Sequence, residues 1–373
     1  MRTKAAVTYG LHQPFVVKEV ELDEPKDDEV LVHLAASGIC HSDWHFVAGE
    51  QEVKHWPMVL GHEGAGIVAK VGANVRHVKP GDHVVMSYLP SCGKCYWCIE
   101  GHSNLCDEGA ETLSGPQLEG TFRMHDDDGT DIGQALFVST FSEWTVVPMH
   151  SVVKIFDHYP LHRACLTACG VVAGIGTAIY LGDIKPGAVC AVWGVGGIGM
   201  NIVQGCRLKG ARAIVAVDLV DWKLEKAKEF GATHTVNPSK QDAVAFINDL
   251  SWGRGADNTF EAIATPETIA DALRATGKTG TCVVIGLSHY TDAAIPFPPT
   301  DLVLYQRTLR GSLYGGANPH NDIPKMLRMW DEGKIKLDEL VTKEYRIEEI
   351  NEAYADLLAG KLLRGVVRYD WAR

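Results

Sequence analysis

The sequence has no excess of basic residues, no apolar N-terminal stretch, no low-complexity linker and no tandem repeat. Lys and Arg number 35 against 47 Asp and Glu, a formal net charge of -12. Phosphate neutralisation needs a basic face, so this balance argues against a nucleic-acid partner. The opening MRTKAAVTYG lacks the apolar core of a secretory signal, which sets the expectation of a cytoplasmic chain. Charge is also missing from two long stretches, Ala164–Gly182 and Ala188–Cys206. Their length alone would admit a membrane span. Glycines interrupt both, and the second carries a nucleotide-binding pattern, so both read as protein core.

What is present is a globular chain of 373 residues, 46% hydrophobic and 22% charged. That length favours two domains, and that composition supports a sizeable core. From Lys4 to about Met149 short β-like runs (VLVHLAA, GIVAKVG, DHVVMSYL) alternate with turns, and VGANVRHVKPGDHVV reads as strand, Pro-Gly turn, strand. This half is expected to be antiparallel and barrel-like. From about Val189 the rhythm changes to strand, helix, strand: AVCAVWG, GGIGMNIVQGCRLKG, AIVAVD, then DWKLEKAKEFG with Gly231 as its stop. ADNTFEAI, a helix around Thr268 to Ala275 and TCVVIGL continue it, implying a parallel, doubly wound sheet. IPKMLRMWDEG and IEEINEAYADLLAG near the end read as amphipathic helices.

Gly194, Gly196 and Gly199 form GxGxxG between a strand and a helix. Such glycines permit a tight turn, close approach of a pyrophosphate and close helix–strand packing, while the helix start offers free N–H groups to phosphate. The pattern alone is weak, since packing turns imitate it. Here Asp218 ends the next strand nineteen residues beyond Gly199, where an acid accepts from an adenosine ribose and repels a 2′-phosphate, favouring NAD over NADP.

Ten cysteines in a reducing compartment suggest metal ligands more than disulfides. Cys92, Cys95, Cys98 and Cys106 form C-x2-C-x2-C-x7-C. Four thiolates on one short loop can close a tetrahedral shell around zinc, with an iron–sulfur cluster as the competing reading. Cys40 in GICHSDWH, His62 in GHEG and Cys169 in TACG are single, scattered residues. They could supply three ligands to a catalytic zinc, but a solitary buried cysteine is ordinarily packing, and spacing alone does not select them.

Nearly the whole chain, from KAAV to LLRGVV, resembles the zinc-containing medium-chain alcohol dehydrogenases of the branch with a long structural-zinc loop. The motifs that carry the resemblance are GICHSD, GHEGAGIV, the four-cysteine lobe, TFSEWTVV, TACG, GVGGIG and GATHTVNP. It implies a GroES-like antiparallel β catalytic domain, residues 1–170 and 314–373, around a Rossmann NAD-binding domain, residues 171–313. It also implies two zincs per chain, a catalytic one on Cys40, His62 and Cys169 and a structural one on Cys92, Cys95, Cys98 and Cys106.

By the same resemblance Ser42 takes the alcohol proton and His45 passes it outward. Glu63 matches an acid behind the metal, and Asp43 a carboxylate near the metal-binding histidine. The turn Gly194, Gly196, Gly197 and Gly199, with Asp218 and Lys223, matches NAD contacts, and His41 and Arg364 match positions facing the pyrophosphate. Two departures stand out: His41 replaces an arginine common among relatives, and Ala173 replaces a threonine of the horse-liver-like members.

The resemblance implies reversible zinc-dependent oxidation of alcohols to aldehydes or ketones, with hydride passing to NAD. Within the family the chain is similar to the actinobacterial nicotinoprotein dehydrogenases, which keep NAD bound and reoxidise it with an external acceptor. A homodimer or homotetramer is expected, paired through a strand around Leu309 to Leu313. Three rivals differ in a readable way. A thiol-adduct (formaldehyde-type) dehydrogenase shares the architecture and would require a small thiol. A zinc-free enone reductase would lack the ligands that stand here. A non-catalytic zinc-stabilised NAD-binding protein would have no need of Ser42 and His45.

Overall fold

A computed structural model describes every residue except Tyr290, Asp292, Ala293 and Arg373, together with the side chain of Glu111. The chain divides into two compact units, Met1–Cys169 with Asn318–Arg373, and Gly170–Ala317.

The first unit is β-rich. Five strands close a small barrel: Arg2–Thr8, Val16–Leu22, Met124–His125, Asp131–Gln134 and Met58–Val59. A seven-stranded sheet is centred on Glu29–Ile39, which pairs antiparallel with Glu63–Val71, Trp144–Pro148 and Arg364–Arg368. Two pairings are parallel, Met58–Val59 with Asp131–Gln134 and Val341–Tyr345 with Arg364–Arg368. Glu29–Ile39 is buried along nearly its whole length because it has neighbours on both sides and helix His41–Val47 continues from its end. The core joins its β-branched residues to Phe15, Phe141 and Tyr354, with Phe15 stacked on Tyr354 at 5.1 Å.

The second unit is a six-stranded parallel sheet in the order His234–Val236, Ala213–Val217, Val189–Trp193, Ala256–Glu261, Thr276–Val284, Thr308–Gly311. The central strands Val189–Trp193 and Ala213–Val217 are entirely buried, as apolar runs of a parallel sheet covered on both faces must be. Helices Gly197–Leu208, Asp221–Phe230, Ala243–Leu250 and Pro266–Ala275 supply the crossovers. Gly231 ends the second of them in the left-handed conformation at φ 117°. The unit runs on past the expected boundary at residue 313. The turn Tyr314–Gly316 packs so closely on helix Gly170–Gly176 that a Cβ on Gly315 would lie 2.5 Å from the Ala173 carbonyl oxygen. Among the described residues no single helix is long and apolar enough to cross a membrane.

In the first unit the His33 ring lies between Trp144 at 3.8 Å and Trp371 at 4.2 Å, and Trp371 Nε1–H donates to the Leu34 carbonyl at 2.7 Å. Burial between the rings pushes the His33 imidazole down to about 4 from 6.5. The folded state therefore holds His33 neutral where the unfolded chain takes up a proton. This contribution to stability is complete above about 6.5 and is lost as pH falls toward 4. His33→Phe, which keeps the stack and removes the titration, should lose less of its urea midpoint between pH 7 and pH 4.5 than the parent does. Equal losses in the two proteins would contradict this origin of the acid sensitivity.

Candidate active site

Cys40 caps the corner where strand Glu29–Ile39 turns into helix His41–Val47, in an extended conformation at φ -119° and ψ 144°. His62 immediately precedes strand Glu63–Val71, whose Glu63 stands opposite Gly38. Cys169 follows the short helical turn Cys165–Ala168. Sheet register thus brings residues far apart in sequence to one end of the first unit. Ligand atoms of Cys40, His62, Glu63 and Cys169 all lie within 4.8 Å of one another, and all four residues are buried.

The imidazole is held by Asp43, a fully buried carboxylate. Asp43 Oδ1 accepts from the Gly61 N–H at 2.9 Å and lies 3.1 Å from His62 Nδ1. With Nδ1 so engaged, Nε2 is the nitrogen left for a metal. Tyr88 packs edge-on against the ring at 5.3 Å.

The charges in the pocket are mutually dependent. The Cys169 thiol donates toward Cys40 and holds the Cys40 thiol well below its ordinary value, with His62 and Arg364 assisting against burial. The same hydrogen bond, with burial, pushes Cys169 up. Burial works against a charged His62, but Asp43 and Cys40 outweigh it and raise the imidazole to about 10. A thiolate beside an imidazolium is what a soft N/S metal site becomes when protons stand in for the ion.

Arg364 Nη2 hydrogen-bonds Glu63 Oε2 in a buried ion pair, so one oxygen of the carboxylate beside the cluster is already engaged. The pairing crosses the middle strand at Gly38, because Glu63 and Arg364 sit on the two strands flanking it. A Cβ on Gly38 would lie 2.1 Å from Glu63 Oε2. Two thiols and one imidazole, with the neighbouring carboxylate shared with Arg364, match the three-ligand set of a catalytic zinc.

Around this centre, Ser42 Oγ lies 3.6 Å from Cys40 Sγ. His45, one helical turn further, bonds through Nδ1 to Glu50 Oε2. His41 is exposed, its ring 4.9 Å from that of His45.

In the second unit, Gly194 at φ 79° makes the turn and Gly196 caps helix Gly197–Leu208. A Cβ on Gly199 would fall 1.8 Å from the Gly194 carbonyl oxygen, whereas one on Gly196 would meet nothing within 4 Å. The first relation is packing; the second leaves an open approach to the helix start. Asp218 already braces the turn, its Oδ2 accepting from the Val195 N–H and its Oδ1 from the Val220 N–H, both at 2.9 Å. Lys223 extends over the Trp222 ring at 5.9 Å, and Ala173 is buried in helix Gly170–Gly176.

The sulfurs of Cys92, Cys95, Cys98 and Cys106 also lie within 4.8 Å of one another, with Cys92 and Cys98 at 4.0 Å. A tetrahedron of thiolates about 2.3 Å from one zinc has edges of about 3.8 Å, so the four close around a single ion with no space for a multi-iron cluster. The Cys92 N–H donates to Cys106 Sγ and the Cys95 N–H to Cys92 Sγ, both at 3.4 Å. The N–H groups of Asp107 and Cys98 bring the Cys95 thiol down to about 7, while burial raises Cys98 and Cys106.

Sequence reasoning did not anticipate Gly38, Glu50, Tyr88 or the bond between Glu63 and Arg364. Arg364, expected at a pyrophosphate, spends one nitrogen of its guanidinium on Glu63. None of these has a local spacing signal, because each acts through a partner on another element.

The chain as a whole is similar to known proteins. A family model described as an alcohol dehydrogenase GroES-like domain matches residues 26–157, and one described as a zinc-binding dehydrogenase matches residues 197–332. The NDMA-dependent alcohol dehydrogenase of Amycolatopsis methanolica is 45% identical over 372 residues, covering 99% of this chain and 100% of the relative. A protein of Mycobacterium tuberculosis named putative alcohol dehydrogenase D is 44% identical over 369 residues, covering 98% and 100%. The crystal structure of benzyl alcohol dehydrogenase from Acinetobacter calcoaceticus superposes with a TM-score of 0.93 at 32% identity, covering 99% of each chain.

Overpacking a buried site costs about 1–3 kcal/mol. Gly38→Ala should therefore lower the melting temperature and reduce metal retention at the Cys40, His62 and Cys169 cluster, since Glu63 must leave Arg364 to make room. Unchanged melting and unchanged metal content would contradict the role given to Gly38.

Proposed function

The chain belongs to the zinc-containing medium-chain alcohol dehydrogenases, and from that premise we propose that Cys40, His62 and Cys169 hold its catalytic zinc and that NAD sits on the turn Gly194–Gly199. As a member of that family it is a zinc-dependent alcohol dehydrogenase. The observation that carries the site assignment is the buried cluster of two thiols and one imidazole whose neighbouring carboxylate is already engaged by Arg364. Cys2His with an open position is the ligand set of zinc alcohol dehydrogenases. A second zinc, on Cys92, Cys95, Cys98 and Cys106, has no vacancy and serves structure alone.

When bound, zinc supplies a Lewis acid that acidifies an alcohol hydroxyl, and the nicotinamide supplies the hydride acceptor. The chain's own groups do the rest. Ser42 stands beside Cys40 to take the hydroxyl proton, and His45, on the same helix face, carries it outward to the side where Glu50 holds the ring. Asp43 fixes the His62 ring so that Nε2 points to the cluster. Arg364 holds one oxygen of Glu63, which weakens the carboxylate as a competitor of substrate for the fourth position. The open helix start at Gly196 and Gly197 receives the pyrophosphate, and by the family likeness His41 and Arg364 are further contacts to it. Asp218, with Lys223 nearby, meets the ribose and disfavours a 2′-phosphate.

The finer reading is a nicotinoprotein that retains NAD and returns it to the oxidised state with an external acceptor, working in the cytoplasm. The Amycolatopsis relative, named for its dependence on NDMA, supports it. A homodimer or homotetramer paired through Thr308–Gly311 is supported by the strand's place at the edge of its sheet with all four residues exposed.

Cys40→Ser should abolish alcohol oxidation and release one metal equivalent while the four-cysteine lobe keeps its own, as metal analysis beside turnover would show. Retained turnover would overturn the ligand assignment. In the desalted parent protein, excess primary alcohol with no added NAD should raise a lasting, stoichiometric reduced-nicotinamide band. A spectrum that responds only after NAD is added would overturn the resident-cofactor reading and leave an ordinary dehydrogenase.

A further inference from the structure

At the edge of the parallel sheet opposite the glycine turn lies a second concavity, of about 370 Å3. Its walls come from the starts of four strands, Val189–Trp193, Ala213–Val217, Ala256–Glu261 and Thr276–Val284, whereas Gly194 follows the end of the first. The two sites thus occupy opposite edges of one sheet. Lys185, Arg212, Arg254 and Lys278 line the concavity, against the carboxylates of Asp183 and Asp257. Asp183 is taken by Lys185 at 2.7 Å, and Asp257 accepts the Val189 N–H at 2.7 Å. Among the described residues no carboxylate lies within ion-pair distance of Arg212, Arg254 or Lys278. In a chain of net charge -12, four cations against two carboxylates in one hollow is a local excess of positive charge that suits an anion.

Two further features show that the basin is built. Trp252, 76% exposed, carries the Arg212 guanidinium at 4.9 Å and that of Arg254 at 5.1 Å over its ring. A rigid indole so placed restrains both guanidinium groups before any ligand arrives. On the opposite wall the pairing of strand Ala256–Glu261 with Thr276–Val284 jumps from Ala256 opposite Thr276 to Asn258 opposite Thr281. The extra residues 277–280 bulge out and carry Lys278. Thr279 in this bulge has φ 60° and Trp252 has φ 58°. A β-branched residue in the left-handed region is strained where glycine would be relaxed, and such strain gathers at functional sites.

We propose that this basin is a binding site for a small polyphosphate, either inorganic or the phosphate chain of a nucleotide, distinct from the dinucleotide site. Paired guanidinium groups match phosphate oxygens as fixed forks and a lysine adds a mobile charge. The volume suits a small molecule.

The test uses the zinc- and NAD-saturated protein, so that the glycine turn is already filled. Inorganic tripolyphosphate and ATP are titrated separately by calorimetry, with orthophosphate as the single-phosphate control and zinc content measured before and after. The expected result is one tripolyphosphate per chain, weakened by added salt, with orthophosphate at least tenfold weaker. ATP binding tighter than tripolyphosphate would assign the site to a nucleotide, and equal binding would assign it to the phosphates alone. Arg212→Gln with Lys278→Gln, both at exposed positions, should weaken tripolyphosphate at least tenfold at unchanged melting temperature. Trp252→Leu, which keeps every charge, should weaken it several-fold. No binding to the parent protein, or binding that these variants leave unchanged, would overturn the proposal.

Discussion

Gly38 lies opposite Glu63 across two antiparallel strands, and the charges of the candidate metal centre are arranged around that pairing. Because no side chain stands at position 38, the Glu63 carboxylate can cross the middle strand to reach Arg364 on its other side. Glu63 so held stays beside the two thiols and the imidazole, one of its oxygens shared with Arg364. Asp43 completes the arrangement from helix His41–Val47, engaging His62 from behind. Two carboxylates therefore frame the site, and each has a partner. A buried acid left without one would either take a proton or compete for the metal. The sheet register thereby sets the geometry of the site and the partner of its carboxylate.

Legibility in the sequence followed the range of the interaction. The glycine turn and the four-cysteine lobe were readable because each is one segment whose spacing is itself the geometry. The alternation from Val189 onward announced the parallel sheet because a strand buried on both faces must be apolar throughout. Cys40, His62 and Cys169 had no such spacing and became visible only through the likeness to a family. Glu63 and Arg364, 301 residues apart, were named separately, but their bond was not foreseen, since it depends on two strands meeting across a third. The boundary near residue 313 moved to Ala317 because the close approach of Gly315 to Ala173 is a packing event with no mark in composition.

Net charge shows a similar limit. At -12 the chain reads as uniformly acidic, but charge acts where it is concentrated, and the loops before three strands with the bulge of a fourth gather four cations into one hollow. Each belongs to a different stretch of sequence and none is flanked by a basic run, so only the fold places them together.

Asp218 accepts hydrogen bonds from the N–H groups of Val195 and Val220, tying the glycine turn to the strand end beside it through the protein's own groups. A loop braced in this way need not be ordered by its guest, so the entropy of forming the cradle is met during folding and not on each encounter. The gain from such rigidity falls mainly on the rate of escape, lengthening residence without requiring any additional contact.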